Sequence, residues 1–287
     1  MDTMLGRMLV GIKHLIAVVL CAVSLLAACD PIQNFENPNE PLFAADYAKR
    51  QPEFDGEIKT LTWNIKFGQE VETAIAELTE VEELQEADII LLQEMDEQGV
   101  DEIARALQYN YVYFPASIHT RHDKNFGNAI LSPWPLARDH KILLPHADPY
   151  TGTRRIAVSA DVTVGDDVHR VYSVHAATMT VGLGARLDQA RTIALDARST
   201  TRPTIIAGDF NTADPASKDQ TIELLGEFGF AWASPAALDS GSGYNTRFTL
   251  DYIFARDVGL GDSGTFAGDS GSDHQPVWAD LGLPQPP

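Results

Sequence analysis

The chain has 287 residues and carries 41 acidic against 21 basic residues, which gives a formal net charge of −20. That length suffices for one large domain, since α/β folds often reach roughly 200 to 250 residues as a single unit. The acidic balance disfavours a nucleic-acid partner, because affinity for a phosphate backbone comes largely from Lys and Arg.

The first element along the chain is a predicted secretory signal peptide. Basic residues precede an apolar run over residues 15–28, which is shorter than the about 20 apolar residues that a membrane-spanning helix needs. The sequence LAAC at residues 26–29 resembles the lipobox of bacterial lipoproteins, and we expect lipidation at Cys29. Cys21 is a competing position, but bulky Leu20 precedes it. The alternative is an ordinary cleaved signal that leaves Cys29 as a free thiol.

The segment after the signal is predicted to be a tether. Residues 29–56 contain four prolines among Asn, Asp and Glu and no sustained apolar period. Asp30 resembles the signal that keeps lipoproteins in the inner membrane of enteric-type bacteria, so in a Gram-negative host we expect the domain on the periplasmic face of that membrane. Removal of residues 1–28 leaves 259 residues with a net charge of −21 and a single cysteine, which excludes an internal disulfide.

From residue 57 to 287 the pattern alternates between short apolar runs and helical segments, which predicts one α/β domain. Helices are predicted at about residues 70–86, 99–107, 184–198 and 217–227. The predicted strands are IKTLTWNIKF, ADIILLQEM, YNYVYFPAS, GNAILS, RRIAVSADV, HRVYSVHAA, PTIIAGDF, TLDYIFAR and QPVWADL. Consecutive apolar residues, as in IILL and TIIA, are typical of strands that are covered on both faces.

Polar residues stand where several of these runs end. Asn64 follows LTW, Glu94 follows IILLQ, His175 follows VYSV, and the sequence GDFN follows TIIA. Strand ends on one side of a sheet meet in space, so these acids, amides and imidazoles are candidates for one site.

Five motifs in fixed order, TWNI, LLQE, GDFN, LDYI and SDHQPV, resemble the endonuclease/exonuclease/phosphatase family over about 220 residues. This resemblance implies a deoxyribonuclease I-like four-layer α/β/β/α sandwich, with two mixed sheets flanked by helices and the site at one end. It also implies a hydrolase of phosphate esters that uses Mg²⁺, or Mn²⁺, as one or two ions. Such ions prefer hard oxygen ligands.

The resemblance assigns metal ligation to Glu94, Asn64 and Asp273. Taken singly, Glu94 could be a solvated strand-end acid and Asn64 a turn amide. Asp209 and Asn211 resemble the pair that orients the attacking water and donates to the phosphoryl oxygen. A type I Gly-Asp turn would explain Gly208 alone.

His274 resembles a catalytic histidine that contacts the scissile phosphate, and Asp251 the carboxylate that fixes its tautomer. His175 resembles a second histidine that protonates the leaving oxygen, although no orienting carboxylate can be placed; a structural strand-end histidine is the alternative. Arg155 and Asn128 resemble residues that contact the phosphate. The alternatives are a protective charge on an edge strand for Arg155 and a structural amide for Asn128. The sequence ARLDQAR, which contains Arg186, Gln189 and Arg191, is interpreted as a solvated helix face.

The sequence therefore predicts a monomeric metal-dependent hydrolase of phosphate esters, and the resemblance favours phosphodiesters as substrates. Three substrate classes share this machinery: lipid head groups, which a membrane anchor favours; nucleic acid, which the charge disfavours; and small soluble esters. The non-enzyme alternative is a lipoprotein that keeps the fold as a binding module. Such a module has no need to keep Glu94, Asp209, Asn211 and His274 together.

Overall fold

The computed structural model describes residues 32–119, 121–234, 248–266 and 271–282. Among these residues the helices are α1 (Val71–Glu80), α2 (Glu97–Leu107), α3 (Leu183–Ala197) and α4 (Pro215–Gly226), with 3₁₀ turns at Lys66–Gly68 and Met179–Val181. The strands are β1 (Phe43–Ala45), β2 (Glu57–Asn64), β3 (Ile89–Met95), β4 (Asn110–His119), β5 (Lys124–Ser132), β6 (Leu136–Leu143), β7 (Ile156–Val164), β8 (Asp167–His175), β9 (Thr204–Asp209), β10 (Ala231–Trp232), β11 (Asp251–Arg256), β12 (Gly259–Thr265) and β13 (Val277–Gly282).

The strands form two mixed sheets. The first has the order β1-β4-β5-β3-β2-β13-β12 and the second the order β10-β11-β9-β8-β7-β6. Strand β2 is parallel to β3, and β8 is parallel to β9, whereas the other described pairs are antiparallel. The parallel pairs bring the carboxyl ends of neighbouring strands to one edge.

Three apolar layers hold the sheets and helices together. The middle core lies between the sheets, a second core packs the first sheet on α1 and α2, and a third packs the other sheet on α3 and α4. Ile89 and Leu91 of β3 enter the middle core, whereas Ile90 and Leu92 enter the helix-side core. The run IILL is apolar throughout because successive side chains face two different cores. The predicted four-layer sandwich is confirmed.

Every predicted helix and strand is present, and the four strands that the sequence did not predict are β1, β6, β10 and β12. All four are the edge strands of their sheets. An edge strand has no neighbour on one side and is partly solvated, so it lacks the apolar pattern of a central strand. Strand β12, with the sequence GLGDSGT, contains no fully buried residue.

The segment from Gln33 to residue 56 is part of the domain, so the prediction of a tether over residues 29–56 is wrong for this segment. Strand β1 pairs with β4, and Phe35 N donates to Ala116 O at 2.8 Å. The buried Lys141 ammonium donates to Phe35 O at 2.9 Å and to Glu40 O at 2.7 Å. The sequence did not predict this packing, because the contacts are made by backbone groups and one buried charge and therefore need no periodic apolar residues.

The predicted signal peptide and the lipidation site at Cys29 lie outside the described residues. No helix in the described ranges combines the length and the apolar character needed to cross a bilayer.

Candidate active site

The polar strand ends meet at one edge of the two sheets. Asn64 at the end of β2 is in register with Gln93 of β3, and His175 at the end of β8 is in register with Asp209 of β9. Asp209 is also opposite Asp251, the first residue of β11. The predicted convergence of these side chains follows from this register.

Close backbone contact explains the glycine before Asp209. A Cβ atom on Gly208 would lie 1.9 Å from Val174 O, and the Gly208 φ of +145° is one that other residues rarely adopt. Gly208 belongs to strand β9, so the alternative of a Gly-Asp turn is wrong. The absent side chain lets β9 approach β8 where the two strands deliver Asp209 and His175.

His274 and Asp251 form a buried pair. His274 Nδ1 lies 2.8 Å from Asp251 Oδ2, and both side chains are almost wholly inaccessible to solvent. Burial lowers the pKa of His274, but the charges of Asp251 and Asp209 and the hydrogen bond to Asp251 outweigh it and raise that pKa to about 10. The imidazole is therefore a cation at neutral pH, with its Nε2 directed toward Asp209 at 3.9 Å.

Asp209 lies at the centre of the cluster. Its Oδ1 accepts from Asn211 N at 2.8 Å, and its Oδ2 accepts from Asn64 Nδ2 at 3.1 Å and from Asn211 Nδ2 at 3.3 Å. Burial raises the pKa of Asp209 to about 7, against the lowering effect of the His274 charge. A carboxylate with such a pKa is suited to accept a proton from water near neutral pH.

Asn211 orients Asp209. The second hydrogen of its amide donates to Ala176 O at 3.0 Å, and its own φ is +52°. Both N–H groups of the Asn211 amide are therefore engaged within the protein. This arrangement supports a positioning role in place of the predicted donation to a phosphoryl oxygen.

His175 has an arginine partner where the resemblance implies a carboxylate. Arg155 Nη1 lies 3.0 Å from His175 Nδ1, so this nitrogen accepts and the proton resides on Nε2. Nε2 faces Asp209 Oδ2 at 3.5 Å and Glu94 Oε1 at 3.7 Å. Burial, then the charges of Arg155 and His274, lower the pKa of His175 well below its usual value. A neutral imidazole of this kind donates a hydrogen bond but is a poor proton source for a leaving oxygen.

Glu94 occupies an irregular point of β3. The pairing of β3 with β5 shifts register between Leu92 and Met95, and Glu94 has a φ of +59°. Because non-glycine residues seldom adopt this conformation, the bulge directs the Glu94 carboxylate out of the strand and toward the site. Burial raises the pKa of Glu94, although Arg155 and Asn64 counteract it.

Asp273 lies at the rim. Its carboxylate is half-exposed and lies 3.8 Å from Lys66 Nζ, and its negative charge contributes to the raised pKa of Glu94. The Asp273 and Glu94 carboxylates therefore repel each other electrostatically.

Asn128 is a structural amide. Its side chain is buried, and Nδ2 donates to Ser173 O at 3.0 Å and to Ile156 O at 3.3 Å. These bonds connect β5 of one sheet to β7 and β8 of the other. The predicted contact with phosphate is wrong, because the donor is used between the sheets.

Arg186 and Gln189 are buried as well, so the interpretation of a solvated helix face is wrong for these two residues, whereas Arg191 is exposed as predicted. Arg186 Nη2 donates to Ser217 Oγ at 2.9 Å, which joins α3 to α4. Gln189 accepts from Ala177 N at 2.8 Å and donates to Pro145 O at 2.7 Å. These residues hold the loops that follow β8 and β6.

The donor set fits a divalent cation. Glu94, Asn64 and Asp273 present hard oxygen atoms, which Mg²⁺ prefers. Burial raises the pKa of both Glu94 and Asp209, and their mutual repulsion contributes to the shift of Asp209. A bound cation would offset this unfavourable burial of negative charge.

A second group could also ligate. Ligand atoms of Asp209, Asp251 and His274 lie within 4.8 Å of one another. However, His274 Nδ1 and Asp251 Oδ2 are hydrogen-bonded to each other. This hydrogen bond competes with ligation of a cation by the same two atoms.

Two residues that orient His274 escaped the sequence analysis. Trp63 Nε1 donates to His274 O at 3.0 Å, and Ser272 Oγ lies 3.1 Å from His274 N and 2.6 Å from Asn64 O. Both stand inside the motifs TWNI and SDHQPV. The sequence signal that could have identified Trp63 and Ser272 is that each directly precedes a predicted site residue, Asn64 or Asp273.

A family model described as the Endonuclease/Exonuclease/phosphatase family matches residues 61–274. Among solved structures, an endonuclease/exonuclease/phosphatase from Bacteroides vulgatus is 19% identical with a TM-score of 0.65, over 79% of this chain and 99% of that chain. TDP2 from D. rerio complexed with a single-strand DNA product is 17% identical with a TM-score of 0.63, over 80% and 100%. Sphingomyelinase C from Streptomyces griseocarneus is 19% identical with a TM-score of 0.58, over 79% and 99%.

No curated protein sequence matches the chain. At these identities the solved structures establish the shared fold alone.

Proposed function

The chain belongs to the endonuclease/exonuclease/phosphatase family, and from this premise we propose that it hydrolyses phosphate esters by direct attack of water on phosphorus, with Mg²⁺ or Mn²⁺. One observation carries the proposal: the buried chain Asp251–His274–Asp209 lies beside Glu94 at the edge where both sheets end. Three acids and a charged imidazole around one small, largely buried space are costly for a protein that only binds partners, whereas hydrolysis uses each of them.

The residues divide the reaction between them. Asp209 accepts the proton of the attacking water, and Asn64 and Asn211 hold the carboxylate in place. Protonated His274 donates from Nε2 to a phosphoryl oxygen and offsets the negative charge that develops there. The ester P–O bond breaks, and the leaving oxygen takes the electron pair and a proton from solvent.

Glu94, Asn64 and Asp273 would hold the cation, which supplies positive charge for the phosphoryl oxygens and a position for the attacking water. Arg155 directs its charge into the site while one of its nitrogens fixes His175. Neutral His175 then presents its Nε2–H as a hydrogen-bond donor on the side of the ring that faces Asp209 and Glu94.

The test is hydrolysis of bis-p-nitrophenyl phosphate, p-nitrophenyl phosphate, DNA and sphingomyelin in Mg²⁺ and in Mn²⁺. Asp209→Asn is the matched variant, because it keeps the shape of the side chain but removes the proton acceptor. We expect turnover by the wild type and a loss of at least about 100-fold in the variant. Reaction in ¹⁸O-labelled water should place the label in the phosphate product. No turnover on any substrate, or equal turnover by Asp209→Asn, contradicts the proposal.

We further propose that Cys29 carries a lipid and that the enzyme acts at the periplasmic face of the inner membrane in a Gram-negative host. The support is the sequence LAAC followed by Asp30. Multiple acyl chains anchor firmly where a single one binds only marginally. Fractionation of wild type and Cys29→Ser is the test: a serine variant that stays as firmly membrane-bound as the wild type contradicts the anchor.

A further inference from the structure

Four rings form a contiguous cluster, which we call the aromatic wall: Phe67, His119, His122 and Phe126. The ring centroids of Phe67 lie 4.6 Å from those of His119 and 4.9 Å from His122, and the two imidazoles stack at 4.8 Å with planes 26° apart. Phe126 backs the cluster at 5.8 Å from Phe67 and 5.5 Å from His119. Phe126 is buried, whereas the other three rings are only half-buried and keep surface open to solvent.

The wall adjoins the catalytic residues. The Phe126 ring lies 5.6 Å from the His175 ring, and the Arg155 guanidinium lies over Phe126 at 5.2 Å from its centroid. The Phe126 ring contacts both the Arg155 guanidinium and the rings of Phe67 and His119. A group attached to a phosphate held near Arg155 therefore lies within the width of one aromatic ring of Phe67 and His119. The wall is an extension of the proposed site and not a separate pocket.

The backbone that presents Phe67 is set by a catalytic residue. Asn64 Oδ1 accepts from Lys66 N at 3.1 Å, and the turn places Lys66 at φ 21° and Phe67 at φ 59°. Two successive non-glycine residues in the left-handed region are strained and persist only where the surroundings impose them. The strain therefore coincides with the point where the chain leaves the active site and enters the wall.

Two other roles for the wall fit less well. A metal centre would need further ligands, and in the described part of the chain the group of three or more candidate ligands contains neither His119 nor His122. A purely structural cluster would bury its rings, yet three of the four keep solvent exposure. Burial and the charges of His122, Arg121 and Arg155 lower the pKa of His119, so this ring is neutral and presents an uncharged face.

We infer that Phe67, His119 and His122 form a stacking subsite for a planar aromatic group of the substrate, which makes the substrates phosphate esters of aryl or nucleoside alcohols. This inference rests on the proposed function for the position of the phosphate. Flat π systems gain from offset or tilted contact with aromatic faces, whereas saturated groups of equal size gain only from burial. The positive charges of Arg155 and Arg121 near the wall also suit the phosphate end of such a molecule.

The experiment compares two ligands that cannot be hydrolysed and differ only in their ring. Phenylphosphonate and cyclohexylphosphonate have the same charge and nearly the same size, and their binding to the full-length protein in Mg²⁺ is measured by calorimetry. Wild type should bind phenylphosphonate about fivefold more tightly. Phe67→Leu and His122→Leu should each reduce this preference to less than about twofold with little change in cyclohexylphosphonate affinity. Phe228→Leu, at a half-buried phenylalanine beyond α4, is the matched control and should keep the preference.

Equal affinity for the two phosphonates in wild type contradicts the subsite, as does a preference that survives both leucine variants with their thermal unfolding unchanged. Turnover without this preference contradicts the subsite alone, and the preference without turnover contradicts the proposed function alone. Competition then separates the two sources of the planar group. Displacement of phenylphosphonate at a lower concentration of adenosine 5′-monophosphate than of ribose 5-phosphate identifies nucleoside esters; displacement at equal concentrations of the two identifies aryl esters.

Discussion

His274 Nδ1 and Asp251 Oδ2 lie 2.8 Å apart in the interior, and the opposite ring nitrogen of His274 faces Asp209. The carboxylate of Asp251 therefore fixes which nitrogen of the imidazole can reach a substrate.

Asp251 and His274 should act as one unit in turnover. Asp251→Asn and His274→Ala should each lower kcat/KM by at least about 100-fold, because the imidazole loses its orientation or is absent. The double variant should be within about threefold of the worse single variant, since members of one catalytic unit are not additive. Steady-state kinetics on bis-p-nitrophenyl phosphate gives the comparison.

The chain offers a matched control for this cycle in His146 and Asp188, a surface His–Asp pair with 2.9 Å between Nε2 and Oδ2. His146→Ala should leave kcat/KM unchanged. Losses that simply multiply in the Asp251 and His274 double variant would show that the two side chains act independently.

Glu94 should determine the metal requirement. Chelation with EDTA should abolish turnover, and Glu94→Gln should raise the Mg²⁺ concentration for half-maximal rate by about tenfold or more, because a carboxylate ligand has been lost. Glu102→Gln, at an exposed acid on α2, is the control for net charge. Full activity in EDTA, or an unchanged Mg²⁺ requirement in Glu94→Gln, would refute the assignment.

The pKa values of His274 and His175 should be shifted in opposite directions in the metal-free protein. NMR of the imidazole Hε1 protons should show that His274 is protonated at pH 8. Burial lowers the pKa of His274, but the charges of Asp251 and Asp209 outweigh burial and raise this pKa to about 10. His175 should stay neutral at pH 6, because burial and the Arg155 charge lower its pKa. Arg155→Met should raise the pKa of His175, and a His175 that is protonated at pH 6 in wild type contradicts the tautomer.

The raised pKa of His274 also has a consequence for stability. The folded state holds this proton more tightly than the unfolded chain, so the contribution is complete below pH 6.5 and is lost as the pH rises toward about 10. The free energy of unfolding of the metal-free protein should fall across this interval. Substitution His274→Asn should flatten that part of the profile in urea titrations.

Asn128 should matter for stability and little for chemistry. Asn128→Ala removes the amide that joins the two sheets through Ser173 O and Ile156 O, and should lower the free energy of unfolding by about 1 to 3 kcal/mol. The kcat/KM of the remaining folded protein should change by less than about threefold, unlike the change expected at a phosphate ligand. Urea denaturation and kinetics on the same preparation separate the two roles.

The segment from Gln33 to residue 56 should be needed for a stable domain. A protein that begins at Glu57 loses strand β1 and both carbonyl partners of Lys141 from Phe35 and Glu40, and should be destabilised by about 3 kcal/mol or more. Burial lowers the pKa of Lys141 to about 8, so the ammonium is charged at neutral pH and loses two acceptors when the segment is removed.

Lys141→Met in the shortened protein is the matched variant. It should recover part of the lost stability, because it removes a buried charge that keeps only Pro115 O as an acceptor, at 3.4 Å. Equal stability of the proteins that begin at Gln33 and at Glu57 would show that the segment is a tether after all.

The site was largely predictable because its residues occur in short motifs at strand ends. Asn64, Glu94, Asp209, Asp251 and His274 were placed together from those motifs, and the registers of β2 with β3 and of β8 with β9 bring them to one edge. The partner of His175 was not predictable. Arg155 immediately precedes the neighbouring strand β7, 20 residues earlier in the chain than His175. Its contact with Nδ1 depends on how β7 pairs with β8.

The sequence by itself determined the central strands, the four helices and a layered α/β domain, because a strand covered on two faces must be apolar on consecutive residues and a helix on one side only. The four-layer sandwich was implied by the resemblance of the five motifs. Only the tertiary structure decided which strands form the edges of the sheets and how the segment around Phe35 packs on the domain. It also decided which backbone oxygens accept hydrogen bonds from Asn128 and Gln189. Those features depend on backbone groups and single polar side chains that meet across long stretches of chain. Such contacts leave no periodic pattern, because one hydrogen bond needs only one residue in the right place.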